Sequence, residues 1–238
     1  MVKLSKRLQA IADLVPEGLS VADVGTDHGY IPIWLVSCGR IPGAVAMDVN
    51  EGPLMRARTH IHAEGLDPYI QTRLSDGVQQ LLPGEAACVI IAGMGGGLVQ
   101  KILREGVRQL EDVKYLILQP QSEVSGVRKY LREHGFEIRQ ENMVMEDGKY
   151  YPMMLALSEK KEAETDSRHI LLEDAFGPLL LHAQHPVLEQ WLLREDLICK
   201  KILARLPDTE PNQIRRSEIL KRQRQAKDAL RLFYGRKI

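Results

Sequence analysis

Apolar residues recur at helical intervals in the first segment of the chain, at Leu4, Leu8, Ile11 and Leu14, with Lys3, Lys6 and Arg7 off that stripe. This spacing predicts a short amphipathic helix ending near Pro16. Residues 19–24 then form a compact apolar run closed by Gly25, as in a buried strand. A helix is predicted over 30–38, a strand over 44–49, and a helix over 54–63 with Pro53 at its start and Gly65 beyond its end. Residues 69–74 predict a weaker third strand and 87–92 a fourth, bounded by Pro83, Gly84 and Gly93. A helix over 97–104, a strand over 115–118 stopped by Pro120 and a helix over 124–134 follow. Residues 138–145 and 151–157 flank Asp147 and Gly148, a pair that predicts an antiparallel hairpin.

Strands alternating with helices and ending in a hairpin predict an α/β fold. Its seven-stranded sheet is mostly parallel, with one reversed strand. The pattern changes at Ser158. Residues 159–166 are a polar, charged run, and beyond them only helical spacing recurs, over 170–182, 187–206 and 214–234. Leu188, Trp191, Leu192, Leu197, Ile198 and Ile202 predict one apolar face; Ile214, Ile219, Leu220, Leu230 and Phe233 predict a sparser one. Two long helices on a short link pack as an antiparallel hairpin. The expected division is a first domain over 1–158 and a small all-helical, coiled-coil-like domain over 159–238.

Composition changes this picture little. The 238 residues are 44% hydrophobic and 27% charged, which is ordinary for a globular chain and unlike a disordered one. No apolar run approaches the roughly 20 residues of a membrane span. The first residues lack the apolar core of an export signal, so a cytoplasmic protein is expected. Cys38, Cys88 and Cys199 lie far apart without a CxxC pair, so neither disulfides nor a metal site is expected. Charge is more informative. The net charge is zero, yet from Ile214 onward nine Lys and Arg stand against two acids, an excess of +7. A neutral protein with a basic end predicts a partner-binding element, for which Arg215, Arg216, Lys221 and Arg222 are the candidates. A solvated helix face is the plainer alternative.

Chemistry concentrates in the loops after the strands. Asp23, Gly25, Thr26, Asp27, His28 and Gly29 run through a strand-to-helix turn, which brings backbone N–H groups toward a ligand. Asp48 ends the next strand, where an acid accepts hydrogen bonds from both ribose hydroxyls of an adenosine ligand. Ser75, Asp76 and Gly77 follow the third strand, and an acid there suits an adenine amino group. Each loop alone is also an ordinary turn; three in register predict an adenosine-type cofactor. A dinucleotide fingerprint would read GxGxxG, but here Asp27 stands where a pyrophosphate would be repelled. S-adenosylmethionine carries no phosphate and is cationic, which favours methyl transfer over hydride transfer. After the fourth strand, Gly93, Gly95, Gly96 and Gly97 would let a planar base approach the backbone closely, or simply form a flexible turn.

The segments DVGTDHGYIP (23–32), EGP (51–53), AGMGG (92–96) and LQP (118–120) together resemble the bacterial tRNA (adenine(22)-N1)-methyltransferase family, over essentially the whole chain. The resemblance implies a class I, Rossmann-like methyltransferase domain followed by a coiled-coil-like domain. It also implies S-adenosylmethionine as donor and tRNA as partner, methylated at N1 of adenosine 22 in the D-arm region. By the same resemblance Asp23, Gly25, Thr26, Asp27 and His28 line the methionine side of the cofactor. Asp48 and Val49 contact adenosine, with Asp76 and Gly77 near its base. Ala92, Gly93, Met94, Gly95 and Gly96 border cofactor and target. Gln121 stands where an asparagine is expected after Gln119 and Pro120.

Adenine N1 has a lone pair at neutral pH, so the transfer needs no strong base, only alignment and exclusion of water. The product ring is cationic, and Asp27 is the candidate acid to stabilise it. N1 takes part in base pairing, so the target must be unpaired or flipped out. The alternatives are methylation of another RNA position or of a small molecule on the same fold, and a non-catalytic RNA-binding protein with a cofactor-sensing domain. His60, His62 and His134 are expected at the surface, and Trp34 in packing.

Overall fold

The computed structural model describes residues 2–158 and 169–237. The chain divides into two compact units, Met1–Thr165 and Asp166–Ile238. The predicted polar run over 159–166 lies outside the described residues.

In the first unit α1 (Lys6–Asp13) precedes β1 (Val21–Val24), α2 (Tyr30–Ser37), β2 (Ala44–Asp48), α3 (Glu51–Ala63) and β3 (Ile70–Leu74). Then come β4 (Cys88–Gly95), α4 (Gly96–Glu105), β5 (Tyr115–Ser122), α5 (Val124–Glu133), β6 (Glu137–Glu146) and β7 (Lys149–Leu157). The seven strands lie in the order β3-β2-β1-β4-β5-β7-β6. Only β7 runs against its neighbours. It returns through Asp147 and Gly148, both with positive φ, as a tight two-residue hairpin turn requires.

Alternate strand residues build two cores, one on each side of the sheet. Val21, Ala46, Ile90 and Ile117 pack with Ile11 of α1, Ile33 and Leu35 of α2 and Ile61 of α3. Ala22, Met47, Ile91 and Leu118 pack with Val99 and Leu103 of α4 and Val127 and Leu131 of α5. Apolar residues at both parities explain why these short strands read as continuous hydrophobic runs. Trp34 packs against the first core, as expected.

The predicted stop at Pro120 is wrong: β5 continues to Ser122, pairing Met94 with Pro120 and Gly95 with Ser122 across irregular register. The β7 ladder ends at the Leu118–Met154 pair, so β5 beyond it is bonded on one side only. A missing N–H is tolerated in such a place.

The second unit contains α6 (Ile170–Phe176), α7 (Pro178–His182), α8 (Pro186–Arg205), a 3-10 turn (Glu210–Asn212) and α9 (Gln213–Tyr234). The single helix predicted over 170–182 is two, because Gly177, at φ 97°, breaks the helix and Pro178 opens the next one. The pairs Tyr234–His185, Gln223–Asp196 and Arg216–Leu203 show α8 and α9 running antiparallel. The expected apolar faces need correction. Leu197 (56% exposed), Ile214 (78%) and Leu220 (47%) point outward. Glu195 and Asp196 are buried in their stead, beside Leu192 and Cys199.

In the first unit Arg128 of α5 and Glu141 of β6 form a buried ion pair, Nε to Oε1 at 2.8 Å, with both side chains almost wholly covered. Removing one partner takes this compensation away from a desolvated charge. Glu141→Gln is therefore expected to destabilise the protein by about 3–5 kcal/mol in denaturant unfolding, and Arg128→Met added to Glu141→Leu to recover most of it. A Glu141→Gln protein as stable as the parent would show that water reaches the pair.

Candidate cofactor and substrate site

The loops after β1, β2, β3 and β4 share one end of the sheet. The β1 loop is anchored from its neighbour: Gly25 N and Thr26 N both donate to Met47 O of β2, at 2.8 and 2.9 Å. Gly25 has φ +75°, and a Cβ placed there would collide with Met94 Cε. Glycine is required here by the left-handed turn, while the Met94 methyl packed over it is the movable end of a flexible side chain.

Asp23 is the buried acid of the site. Burial raises its carboxyl to about 6 from 3.8, and the charge of Asp48 adds to the rise, so the two acids feel each other. The buried Thr26 hydroxyl beside it opposes the shift by hydrogen-bonding the ionised form. Asp48 Oδ1 accepts from Asn50 N at 2.7 Å, which fixes one carboxylate oxygen and turns the carboxylate into the loop. Val49 beside it is a large apolar residue left 57% exposed. Asp76 is exposed, in a turn that Ser75 holds by donating from Oγ to Gly77 O at 2.8 Å.

Asp27 and His28 turn to α3. Arg56 donates to Asp27 Oδ1 from Nη2 at 2.8 Å and from Nε at 3.2 Å. His28 Nε2 lies 3.5 Å from the same oxygen. Among the described residues nothing bonds Asp27 Oδ2. The rings of His28, Tyr30 and His60 stack nearly parallel, with centroids 5.0–5.4 Å apart. His60 Nδ1 lies 3.0 Å from His28 O, and since a carbonyl only accepts, that nitrogen carries the hydrogen. The expectation that His60 is a surface residue is therefore corrected: it braces the loop, whereas His62 is exposed. Arg56 and His60 were missed, but their i, i+4 spacing on α3 places them on one helix face and was a readable signal.

The β4 loop carries Ala92, Gly93, Met94, Gly95 and Gly96. At Gly96 a Cβ would stand 2.5 Å from Ser122 O and 2.8 Å from Glu123 O, so the backbones of β4 and β5 pass too closely for any other residue. Glu123 Oε2 accepts from Gly97 N at 3.0 Å and caps α4. Gln121 is exposed, with Nε2 near Gly93.

On the helical unit the predicted RNA contacts divide. Arg216 donates to the carbonyls of Leu203 and Leu206 at the end of α8 and lies 3.4 Å from Asp208. Arg222 pairs with the buried Glu195. Both are therefore structural in large part. Burial would raise the Asp196 carboxyl, but Lys200, Gln223 and Lys227 hold it below its usual range. Arg215, Lys221 and Arg224 are exposed and have no acidic partner among the described residues. Lys221 and Arg224 line a shallow groove with Ser217 and the exposed Leu220.

A methyltransferase-domain family model matches residues 4–154. The tRNA (adenine(22)-N(1))-methyltransferase of Bacillus subtilis is 32% identical over 96% of this chain and 98% of its own. The crystal structure of the B. subtilis M1A22 tRNA methyltransferase TrmK is similar at TM-score 0.84 and 30% identity, covering 97% of this chain and all of that one. Sp1610 of Streptococcus pneumoniae, solved in complex with S-adenosyl-L-methionine, is similar at TM-score 0.84 and 33% identity, over 96% of this chain and all of its own.

The Asp23 carboxyl has a stability consequence. Its folded pKa lies above the unfolded one, so the folded state binds the extra proton between about pH 4 and 6 and stability falls as pH rises through that window. Asp23→Asn is expected to stabilise the ligand-free protein at pH 8 by on the order of 2–3 kcal/mol, with the gain fading toward pH 4. Urea unfolding across this range measures it. A variant equally stable at both ends would mean that the ionised acid is already compensated.

Proposed function

This chain belongs to the bacterial tRNA (adenine(22)-N1)-methyltransferase family, and we propose how its own residues carry that reaction. The protein is an S-adenosylmethionine-dependent enzyme that methylates N1 of adenosine 22 in tRNA. The observation that carries the assignment of residues is geometric: Asp23 is buried at the mouth of the β1 loop, beside the Thr26 hydroxyl and the left-handed Gly25 turn. Such a site fits a ligand that is cationic, polar and narrow.

In this reading Asp23, Gly25, Thr26 and His28 hold the methionine end of the cofactor. A positive ammonium near Asp23 relieves the cost of its ionised form. Asp48 accepts from the ribose hydroxyls, the exposed Val49 lies against adenine, and Asp76 and Gly77 close over the base. When bound, S-adenosylmethionine supplies a methyl group on cationic sulfur, which the N1 lone pair takes without a general base. The chain's part is alignment: Ala92 to Gly96 admit a planar ring against bare backbone, and Met94 packs on the Gly25 turn. Asp27 stabilises the positive charge that arrives on the ring. Arg56 and His28 fix its Oδ1, which leaves Oδ2 for the adenine. The first unit performs the chemistry, and the helical unit grips RNA through the exposed cations of α9.

Two experiments test this. The purified protein is expected to transfer a labelled methyl group to tRNA carrying A22, and not to a transcript with G22. Asp27→Asn should lower turnover on saturating tRNA roughly 10- to 100-fold while changing cofactor affinity far less. Near-normal turnover would reduce Asp27 to a turn residue held by Arg56.

For the helical unit, charge reversal of Arg215, Lys221 and Arg224 avoids the structural bonds of Arg216 and Arg222. Binding of tRNA should weaken at least tenfold, and its log–log salt slope should fall by about 0.7–0.9 for each phosphate that is no longer neutralised. Calorimetric affinity for S-adenosylmethionine should stay unchanged. An unaltered salt slope would make the basic stretch a solvated helix face.

A further inference from the structure

We propose that Arg7 grips a backbone phosphate at the target nucleotide, with Gln119 and Tyr151 holding its guanidinium in place; this rests on the tRNA methylation reading above. Gln119 is fully buried at the end of β5. A buried amide needs partners, and its Oε1 accepts from Arg7 Nη1 at 3.0 Å while its Nε2 donates to Pro120 O at 3.2 Å. The Arg7 guanidinium carbon lies 5.4 Å from the centroid of the Tyr151 ring. An amide and an aromatic face orient the cation without neutralising it. Among the described residues no carboxylate pairs with this guanidinium. Its remaining N–H donors are therefore oriented and unspent, as a bidentate anion contact requires.

Tethering of α1 does not explain the arrangement. The helix is already tied to the hairpin by Arg7 N donating to Glu146 Oε1 at 3.3 Å and by Lys6 Nζ donating to Met145 O at 3.3 Å. Ile11 and Ala12 bury its inner face in the core. Position points to the substrate. A Cβ on Gly93 would stand 3.5 Å from Arg7 Nη1, so the guanidinium lies against the loop that borders the target. Its supports come from β5 and β7, whereas Asp23 and Asp48 end β1 and β2, across β4 in the strand order. Arg7 thus stands on the half of the sheet away from the cofactor acids. The charge argues for phosphate over base, because a guanidinium on the methylated, cationic ring would repel it. Phosphate contacts of this kind set register and position.

The test uses the full chain, one tRNA transcript and three measurements on Arg7→Gln. The KM for tRNA should rise roughly tenfold and the salt slope of tRNA affinity should become shallower by about 0.7–0.9, the share of one phosphate. Affinity for S-adenosylmethionine should not move. Arg7→Lys keeps a charge without the fork, so it should restore the slope while the KM for tRNA stays raised. Gln119→Leu should likewise keep the slope and raise the KM, since the cation remains but is no longer aimed. An unchanged slope and KM in Arg7→Gln would overturn the proposal. So would a fall in cofactor affinity matching the fall in tRNA affinity, which would assign Arg7 to the methionine carboxylate. Failure of the parent protein to methylate the transcript would sink the functional reading itself, a result distinct from any defect confined to the variants.

Discussion

The parallel pairing of β1 between β2 and β4 sets the position of the residues assigned to the cofactor. Val21–Val24 registers with Ala44–Met47 on one side and with Cys88–Ile91 on the other. The chain therefore leaves β1, β2 and β4 at one level, and the connections from β1 and from β4 leave toward opposite faces of the sheet. That divergence opens the crevice in which open α/β sheets bind ligands. Asp23 is the third residue of a four-residue strand clamped on both sides, so its burial follows from the pairing. Its raised carboxyl pKa is a consequence of the fold that a cationic ligand can exploit.

Much of this was legible in the chain. Apolar runs closed by glycine located the strands, and the Asp-Gly pair located the hairpin, because these signals are local. The errors arose where distant partners decide. Pro120 reads as a stop, yet β4 continues beside it through an irregular register and carries β5 onward. Leu197 and Leu220 fit an apolar stripe, but the α8–α9 contact is built around Glu195 and Asp196, which α9 supplies with Arg222, Gln223 and Lys227. Asp196 has a local partner in Lys200, but Gln223 and Lys227, which α9 brings to it from about 27 residues away, leave no local mark. At the site the loop acids were visible because their spacing after strands is regular. Arg56 was not assigned and His60 was placed at the surface, because each acts through a residue remote in sequence.

The basic end of the chain shows how sequence charge overstates surface charge. Of its nine cations, Arg216, Arg222, Lys227, Arg231 and Arg236 lie close to carboxylates. The partners of Arg222 and Lys227 are the acids buried along α8. Such cations belong to the helix pair, and their removal would damage its packing before it touched RNA. An electrostatic footprint for nucleic acid therefore has to be counted from unpaired, exposed cations, which among the described residues reduces a +7 segment to Arg215, Lys221 and Arg224 on α9 and Lys237 beyond its end.

Charge is ordered within the methyltransferase unit as well. In the reaction a positive charge moves from sulfur to the adenine ring, so the reacting pair keeps one net charge throughout. Carboxylates near that pair stabilise it at both ends of the transfer, and they favour turnover only if they lie closer to the ring than to the sulfur. In the proposed assignment this separates the acids: the buried Asp23 and the half-buried Asp48 serve binding, whereas Asp27, exposed and anchored by Arg56, serves to discriminate between the two charge positions. A guanidinium without a carboxylate partner has the opposite requirement. In the proposed assignment Arg7 meets it, because Gln119 and Tyr151 hold it across β4 from Asp23 and Asp48, whereas Arg56 is matched by Asp27. In that assignment the carboxyl end of one sheet takes a cationic cofactor and a polyanionic substrate, with the reacting base at the boundary between them.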